Sequence, residues 1–328
     1  RYTLMVDTAR VALTSKDRRD LYYIFKDNNE WLATSTFATT LGGRKEKIDS
    51  DTVFSQIEAS MEDSRYILSK KPILKYFYRT PANFFEVNQK YLHLKVNPIL
   101  NFQMGAENEA DQPIFTNRRG LEIRGGIDDR IYFYSSIHET QSRFPDYVID
   151  RIREQRALPG QGFFKSYSSE LFNIKTGHDY LNAQGYLGFN ISRHVGMQFG
   201  YGRNFIVNGY RSMLLSDFSN NYLYLKLNWK VWRLHFQNLF TEMAVFSQKG
   251  GPDGNLIPKK YMAAHHLSFN ITPNLNVGFF ETVVFSRNNH FELQYLNPVI
   301  LYRTIEQANG SADNVLIGLD AKWNFLKR

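Results

Sequence analysis

Hydrophobic and polar residues alternate along much of this chain. The pattern is clearest at 221–231, NYLYLKLNWKV, where every second position is apolar: Leu223, Leu225, Leu227, Trp229 and Val231. Successive side chains of a β-strand point to opposite faces, so the stretch predicts a strand with one apolar and one polar face. An alternation this long exceeds the roughly 5–6 residues of an ordinary strand and matches the roughly 9–11 residues of a strand that crosses a bilayer.

The same period of two recurs from Tyr91 onward and predicts about eleven strands. They cover residues 91–104, 115–127, 130–142, 180–191, 195–205, 222–232, 233–246, 261–271, 275–285, 291–303 and 315–325. Short turns alternate with long loops, as in outer-membrane barrels. The longest loop, from Phe144 to about Tyr180, contains a predicted short helix at Tyr147–Arg156. A two-sheet soluble protein is the alternative, which the long alternating runs disfavour.

Residues 1–70 follow a different period. Leu21, Ile24 and Phe25 share one face of a predicted helix, and Phe54, Ile57 and Met61 repeat that spacing. We therefore expect two parts: a small helical periplasmic or plug element at 1–70 and an all-β transmembrane outer-membrane β-barrel at 71–328.

Composition narrows the class of protein. The chain has no cysteine, which leaves no basis for disulfides or thiolate metal sites. Its 20 tyrosines and 26 phenylalanines suit the aromatic girdles of barrels, and it has no apolar run long enough for a transmembrane helix. The net charge of +8 is spread out, which favours an anionic lipid leaflet or acidic glycan over nucleic acid. The sequence opens at Arg1 without a charged and apolar leader, so either a signal peptide has been removed, as we expect, or none existed.

Candidate contact residues fall in two regions. On the strand at 115–127, Arg118, Glu122 and Arg124 share the face that would line the barrel lumen, with Arg119 on the other face. They offer planar guanidinium groups to an anionic sugar, or form a structural salt-bridge network. The aromatic candidates in the long loop would either stack on a sugar or pack the loop: Phe144, Tyr147, Phe163 and Tyr167. In the loop after 195–205, Arg211 and Asp217 would form a charged pair that either narrows the pore or holds the loop in place.

The sequence gives weaker support to a metal site or to catalysis. His265 and His266 are adjacent on a strand and point to opposite faces, so they cannot chelate one ion together. A barrel hydrolase would have to draw on Ser212, Ser216, His235, His265 and Glu281, and no short motif fixes any of them. We expect no metal, no cofactor and no catalysis.

Several segments resemble a known family. They are KPILKYFYRTPANFFEVN (71–88), VNPIL (96–100), TNRRGLEIRG (116–125), ETQSRFPDYV (139–148), QFGYGRNFIVNGYRSMLLSDFSNN (198–221), KYMAAHHLSFNIT (260–272), GFFETVVFSR (278–287) and YLNPVILYRTIEQANGSADNVLIGLD (295–320). In these the chain resembles the Wzi-like capsule-assembly family, most closely its RemB-like gliding-motility members. The resemblance implies a barrel of about 18 strands with a periplasmic helical bundle, so we expect this sequence to supply only part of the wall.

The resemblance also implies a role at the surface of a diderm bacterium. The first expectation is a non-catalytic outer-membrane barrel that attaches or assembles capsular polysaccharide or supports surface motility. The alternatives are a component or client of a gliding or protein-secretion machine, which would dock envelope proteins, and a barrel hydrolase. The expected partners are outer-membrane lipid, surface polysaccharide and envelope proteins, without nucleic acid.

Overall fold

The fold is known from a computed structural model. It describes residues 83–89, 91–108, 110–128, 130–192, 194–205, 215, 218–245, 257–272, 274–287, 290–310 and 312–323. The predicted helical element at 1–70 and its boundary with the barrel lie outside the described residues, as do Arg211 and Asp217.

The described chain is dominated by long strands. Twelve strands are present: β1 (Phe85–Asn88), β2 (Leu92–Gly105), β3 (Ile114–Ile127), β4 (Ile131–Arg143), β5 (Lys165–Ser169), β6 (Ile174–Asn190), β7 (Val195–Gly202), β8 (Tyr222–Val231), β9 (Leu234–Ala244), β10 (Lys259–Thr272), β11 (Leu275–Phe285) and β12 (Asn314–Trp323). Two α-helices, α1 (Asp146–Gln155) and α2 (Tyr302–Ala308), and a 3₁₀ helix at Leu293–Leu296 complete the described elements. The all-β prediction is confirmed, and every predicted strand except 291–303 is found.

The strands form one antiparallel sheet in the order β1-β2-β3-β4-β6-β7-β8-β9-β10-β11-β12. β5 pairs with the first part of β6, where His178 and Asp179 also pair with β4 on their other side. Short turns join the strands at one end of the sheet, and the long connections lie at the other end. Within the described residues β1 and β12 are free edges that do not pair with each other, so the sheet is open.

The register gives the sheet two chemically distinct faces. One face is mostly apolar and includes Leu94, Leu100, Leu121, Ile137, Leu187, Phe199, Leu225, Phe236, Leu267, Phe279 and Leu319. The other is mostly polar and includes Lys95, Asn101, Arg118, Glu122, Tyr134, Asn182, Gln198, Lys226, Gln237, His266 and Asp320. We call these the apolar face and the polar face.

Burial is inverted relative to a water-soluble sheet. On the apolar face Leu100 and Leu319 are each 77% exposed, whereas Gln198 and Lys226 on the polar face are both 0% exposed. A sheet in water buries its apolar face, because that transfer drives folding. At these positions the described sheet therefore exposes apolar side chains and buries polar ones.

Residues 291–303 do not form the predicted strand. They belong to a segment, 291–308, that leaves the sheet and packs on the apolar face; we call it the strap. The Asn297 side-chain oxygen accepts hydrogen bonds from the backbone N–H of Val299 and, more weakly, Ile300, which turns the chain where Pro298 cannot donate to a ladder. Tyr295, Tyr302 and Ile305 then pack against a cluster with Phe240, Tyr261, Ala263, Val283 and Phe285.

The long loop after β4 is more ordered than the alternation predicted. The helix predicted at Tyr147–Arg156 is present as α1. The region predicted to be loop also holds β5 and the start of β6, and β1 was not predicted. Gly177 interrupts the alternation there, and a Cβ at this position would lie 2.8 Å from the Tyr167 ring and carbonyl oxygen. Close pairing of β5 with β6 thus requires the glycine that hides the strand pattern.

Candidate functional site

Six half-buried side chains of β3, β4 and β6 lie on the polar face, with Arg118 two rows from Glu122 toward the long connections. We call this set the polar patch: Arg118, Glu122, Arg124, Tyr134, Gln184 and Tyr186. Arg124, Tyr134 and Tyr186 are direct neighbours in register across the three strands. Glu122 and Gln184 lie one row away, toward the long connections. The predicted placement of the three charged residues on one face is confirmed.

Tyr134 is the centre of the polar patch. Its hydroxyl donates to Glu122 Oε2 at 3.2 Å and accepts a bond from Gln184 Nε2 at 3.5 Å. Its ring stacks on that of Tyr186, with the centroids 5.3 Å apart, and the Arg124 guanidinium lies 5.2 Å from its centroid. These contacts hold two aromatic rings, an amide and a cation together on a surface built by three neighbouring strands.

The charged side chains of the polar patch do not form ion pairs with one another. Glu122 bonds to Tyr134 and forms no ion pair with the described arginines. Arg118 Nε donates to Thr140 Oγ1 at 3.3 Å, and Arg124 Nε is buried without a hydrogen-bond partner. Arg119, on the apolar face, pairs instead with Glu139 at 3.3 Å. The patch thus offers donor, acceptor and ring surfaces, the groups that bind hydroxylated and anionic ligands.

Tyr134, Gln184 and Tyr186 were missed as site residues. Tyr134 could have been predicted from the short turn at Asp128-Asp129. A tight hairpin there places Tyr134 opposite Arg124 in register. The partner strand of β4 was less predictable, since α1 and β5 intervene between β4 and β6 in the chain.

The structure separates the aromatic candidates of the long loop. The Tyr167 ring is stacked on Phe115, with the centroids 6.4 Å apart, and the Phe144 ring lies 5.9 Å from that of His178. Tyr147 and Phe163 are 74% and 65% exposed. The first two therefore pack the loop onto the sheet, and the last two present ring surface to the surroundings.

The loop after β7 is tied to neighbouring elements. Arg203 donates to Asn221 Oδ1 at 3.1 Å and to the Gly160 carbonyl at 2.8 Å. Leu215 packs against a cluster on the polar face that includes Tyr222 and Tyr224. The Arg211–Asp217 pairing itself lies outside the described residues.

An ion pair between the partly exposed Arg287 and the buried Asp313 holds the strap at the long-connection end. Arg287 Nη1 and Nη2 each lie 2.7 Å from one oxygen of Asp313, and the Tyr295 hydroxyl donates to Asp313 Oδ2 at 2.7 Å. Burial alone would raise the pKa of Asp313, but the bonds from Arg287 and Tyr295 outweigh it and lower that pKa. The same pair raises the pKa of Arg287, despite its partial desolvation.

The described residues considered for metal binding or catalysis divide between the two faces of the sheet, with His265 and Glu281 paired in register on the apolar face. His265 faces the strap, where its ring centroid lies 3.9 Å from that of Tyr302, and Glu281 accepts backbone bonds from the strap. His266 and His235 lie on the opposite, polar face, with His266 Nε2 2.8 Å from Asp320 Oδ2. Ser212 and Ser216 lie outside the described residues. The part of the chain that the structure describes contains no group of metal-binding side chains.

Comparison with protein-family models gives no match, and none of the curated proteins matches the chain. Among the described residues, no helix is long and apolar enough to cross a membrane. The site must therefore be interpreted from its own chemistry.

Proposed function

We propose that this chain forms part of the wall of a β-barrel in the outer membrane of a diderm bacterium. Its apolar face would contact lipid and its polar face would line the interior. The inverted burial of the two faces supports this placement, because lipid removes the cost of exposing Leu100 and Leu319. Most strands have 10–17 residues, enough for the roughly 9–11 that a tilted strand needs to cross.

The tryptophans support the same placement. Trp229, Trp232 and Trp323 lie at the end of the sheet that carries the short turns, and they are 38%, 75% and 66% exposed. Trp is enriched at membrane–water interfaces, where its ring is in apolar surroundings and its N–H meets water. In this orientation the short turns lie on the periplasmic side and the long connections on the outside.

Within that wall we propose non-catalytic attachment of an acidic surface polysaccharide at the polar patch. The observation that carries this proposal is the Arg124 guanidinium, which lies on the Tyr134 ring with its Nε unpaired, while the Tyr186 ring stacks on Tyr134. Stacked rings bind sugar faces, and a planar guanidinium binds a carboxylate with two parallel bonds. The chain's net charge of +8 favours an anionic polymer.

A protein-docking role in a motility or secretion machine is the second candidate. The exposed Tyr147 and Phe163 favour it, because aromatic side chains are enriched at protein interfaces. This role uses the loops and not the polar patch, so substitutions in the two regions distinguish the candidates.

Binding of alginate, an acidic polysaccharide, and of neutral dextran to the purified full chain tests the proposal. Arg124→Gln should weaken alginate binding about 10- to 100-fold, since a hydrogen bond to a charged group contributes about 1.5–3 kcal/mol. Arg119→Gln is the matched control, because Arg119 lies on the same strand but the opposite face. Equal binding by both variants, or no preference for alginate over dextran, would contradict attachment at the patch.

A further inference from the structure

An apolar cleft lies on the apolar face beside the strap. Its volume is about 410 Å³, and its walls are Trp229, Phe236, Leu267 and Phe279 from four successive strands, with Val299 and Leu301 of the strap. His265, buried under Tyr302, is the one polar residue among those that line it. Here the strap adds a second wall, which makes a groove.

The cleft extends from the short-turn end of the sheet to the strap. Leu234, next to the turn between β8 and β9, lines one end, and His265, paired with Asn238, lines the other. Four residues of β9 separate these levels, or roughly 13 Å at about 3.3 Å per residue. That length is close to the depth of one leaflet, about half of the roughly 30 Å hydrocarbon core.

A cation lies at the short-turn end of the cleft. Arg233 is exposed in the turn between β8 and β9; its guanidinium lies 5.5 Å from the Trp232 ring centroid, and one of its nitrogens donates to the Ile271 carbonyl at 3.2 Å. These contacts fix the guanidinium at the interfacial end of the groove. A planar guanidinium binds phosphate through paired hydrogen bonds. The site therefore combines an anion-binding group with an apolar groove one leaflet deep.

We propose that this cleft binds one anionic phospholipid of the periplasmic leaflet. An acyl chain fills the groove between the strap and the four strands, and the lipid phosphate contacts Arg233. The proposal rests on the membrane placement proposed above. The cation and the long apolar groove together favour a phospholipid over a soluble ligand. The polar surface of a soluble ligand would not match the apolar walls of the groove.

The test uses the purified full chain and palmitoyl-oleoyl phosphatidylglycerol, with retained lipid counted by native mass spectrometry. The wild type should keep one lipid per chain. Leu267→Trp fills the groove and should abolish retention, with Leu121→Trp as its control, since the two leucines are on the same face at 42% and 40% exposure. Arg233→Gln should raise the lipid concentration for half-retention about tenfold, and Arg130→Gln, in another short turn, should not.

Quenching of Trp229 by a brominated phosphatidylglycerol gives a second readout that does not depend on Leu267→Trp folding. The Trp229-dependent signal, defined against Trp229→Phe, should be quenched fully at about one brominated lipid per chain. Quenching only in proportion to the bulk lipid fraction, or equal retention by all variants, would overturn the lipid site. Flotation of the wild type with vesicles separates the two proposals. Failure to float refutes the membrane placement, and flotation without specific retention refutes the lipid site alone.

Discussion

Glu281 anchors the strap to the sheet, and its replacement by glutamine gives a sharp prediction. The side chain is 0% exposed and accepts the backbone N–H groups of Tyr302 at 2.7 Å and Arg303 at 2.8 Å, at the first turn of α2. In Glu281→Gln one oxygen remains an acceptor, while the new amide nitrogen faces an N–H donor. The variant therefore loses one charge-assisted bond and leaves one backbone donor unsatisfied.

The magnitude follows from these two contacts. A hydrogen bond to a charged acceptor contributes about 1.5–3 kcal/mol, and a negative charge at a helix start adds roughly 0.3–1 kcal/mol. Relief of the desolvation cost of a buried carboxylate offsets part of the loss. We expect strap undocking to become easier by about 2–3 kcal/mol, which raises the population of the undocked strap on the order of 30- to 150-fold.

Hydrogen exchange at the amides of Tyr302 and Arg303 measures that population, because exchange there requires local opening. Trypsin cleavage after Arg303 provides a second readout. Glu139→Gln is the control, since Glu139 lies on the same face, is about half-exposed, and pairs only with Arg119 among the described residues. If exchange in Glu281→Gln matched that in Glu139→Gln, the anchoring role of Glu281 would be refuted.

Three further predictions concern other contacts. Asp313→Asn should make undocking of the strap easier by roughly 2–3 kcal/mol. This is less than the roughly 3–5 kcal/mol for breaking a fully buried pair, because Arg287 is 23% exposed. Thermal melts followed by circular dichroism would measure the loss of stability. The Asp313 pKa is lowered in the folded state, so its contribution is present above about pH 4 and is lost as pH falls further; Asp313→Asn should abolish this acid sensitivity. Gly278→Ala would place a Cβ 2.2 Å from Asp320 Oδ2 and should destabilise the sheet by about 1–3 kcal/mol. Gly196→Ala, with its nearest atom at 3.8 Å, should leave the melting temperature of the sheet nearly unchanged.

The sheet was readable from sequence because its signal is local and repeated. Alternation assigned the side chains of β3 and β4 to faces, and the tight turn between them determines which residues pair. Alternation of apolar and polar residues on both sides of short turns was therefore enough to predict most of the sheet.

The strap was not predictable from the same signal. Leu293, Tyr295 and Val299 lie at alternating positions, so they mimic a strand, but Tyr295 is buried while Leu293 and Val299 are exposed beside it. The decisive contact comes from Glu281 on another element, which no local pattern reveals. Tertiary contacts override local propensity in this way.

The polar patch was predicted in part. The faces of Arg118, Glu122 and Arg124 follow from alternation, but their partners depend on side-chain geometry across three strands. Sequence left a salt-bridge network open as an alternative, and the observed partner of Glu122 is a tyrosine hydroxyl.

Spin-label accessibility along β2 tests the central claim of an apolar face in lipid most directly. The chain has no cysteine, so single cysteines at Leu100, Asn101, Phe102 and Gln103 can be labelled without background. In the reconstituted full chain, labels at Leu100 and Phe102 should collide mainly with oxygen, which concentrates in lipid, and labels at Asn101 and Gln103 mainly with a water-soluble nickel complex. Nickel accessibility at all four positions, or a pattern without a period of two, would contradict the membrane wall.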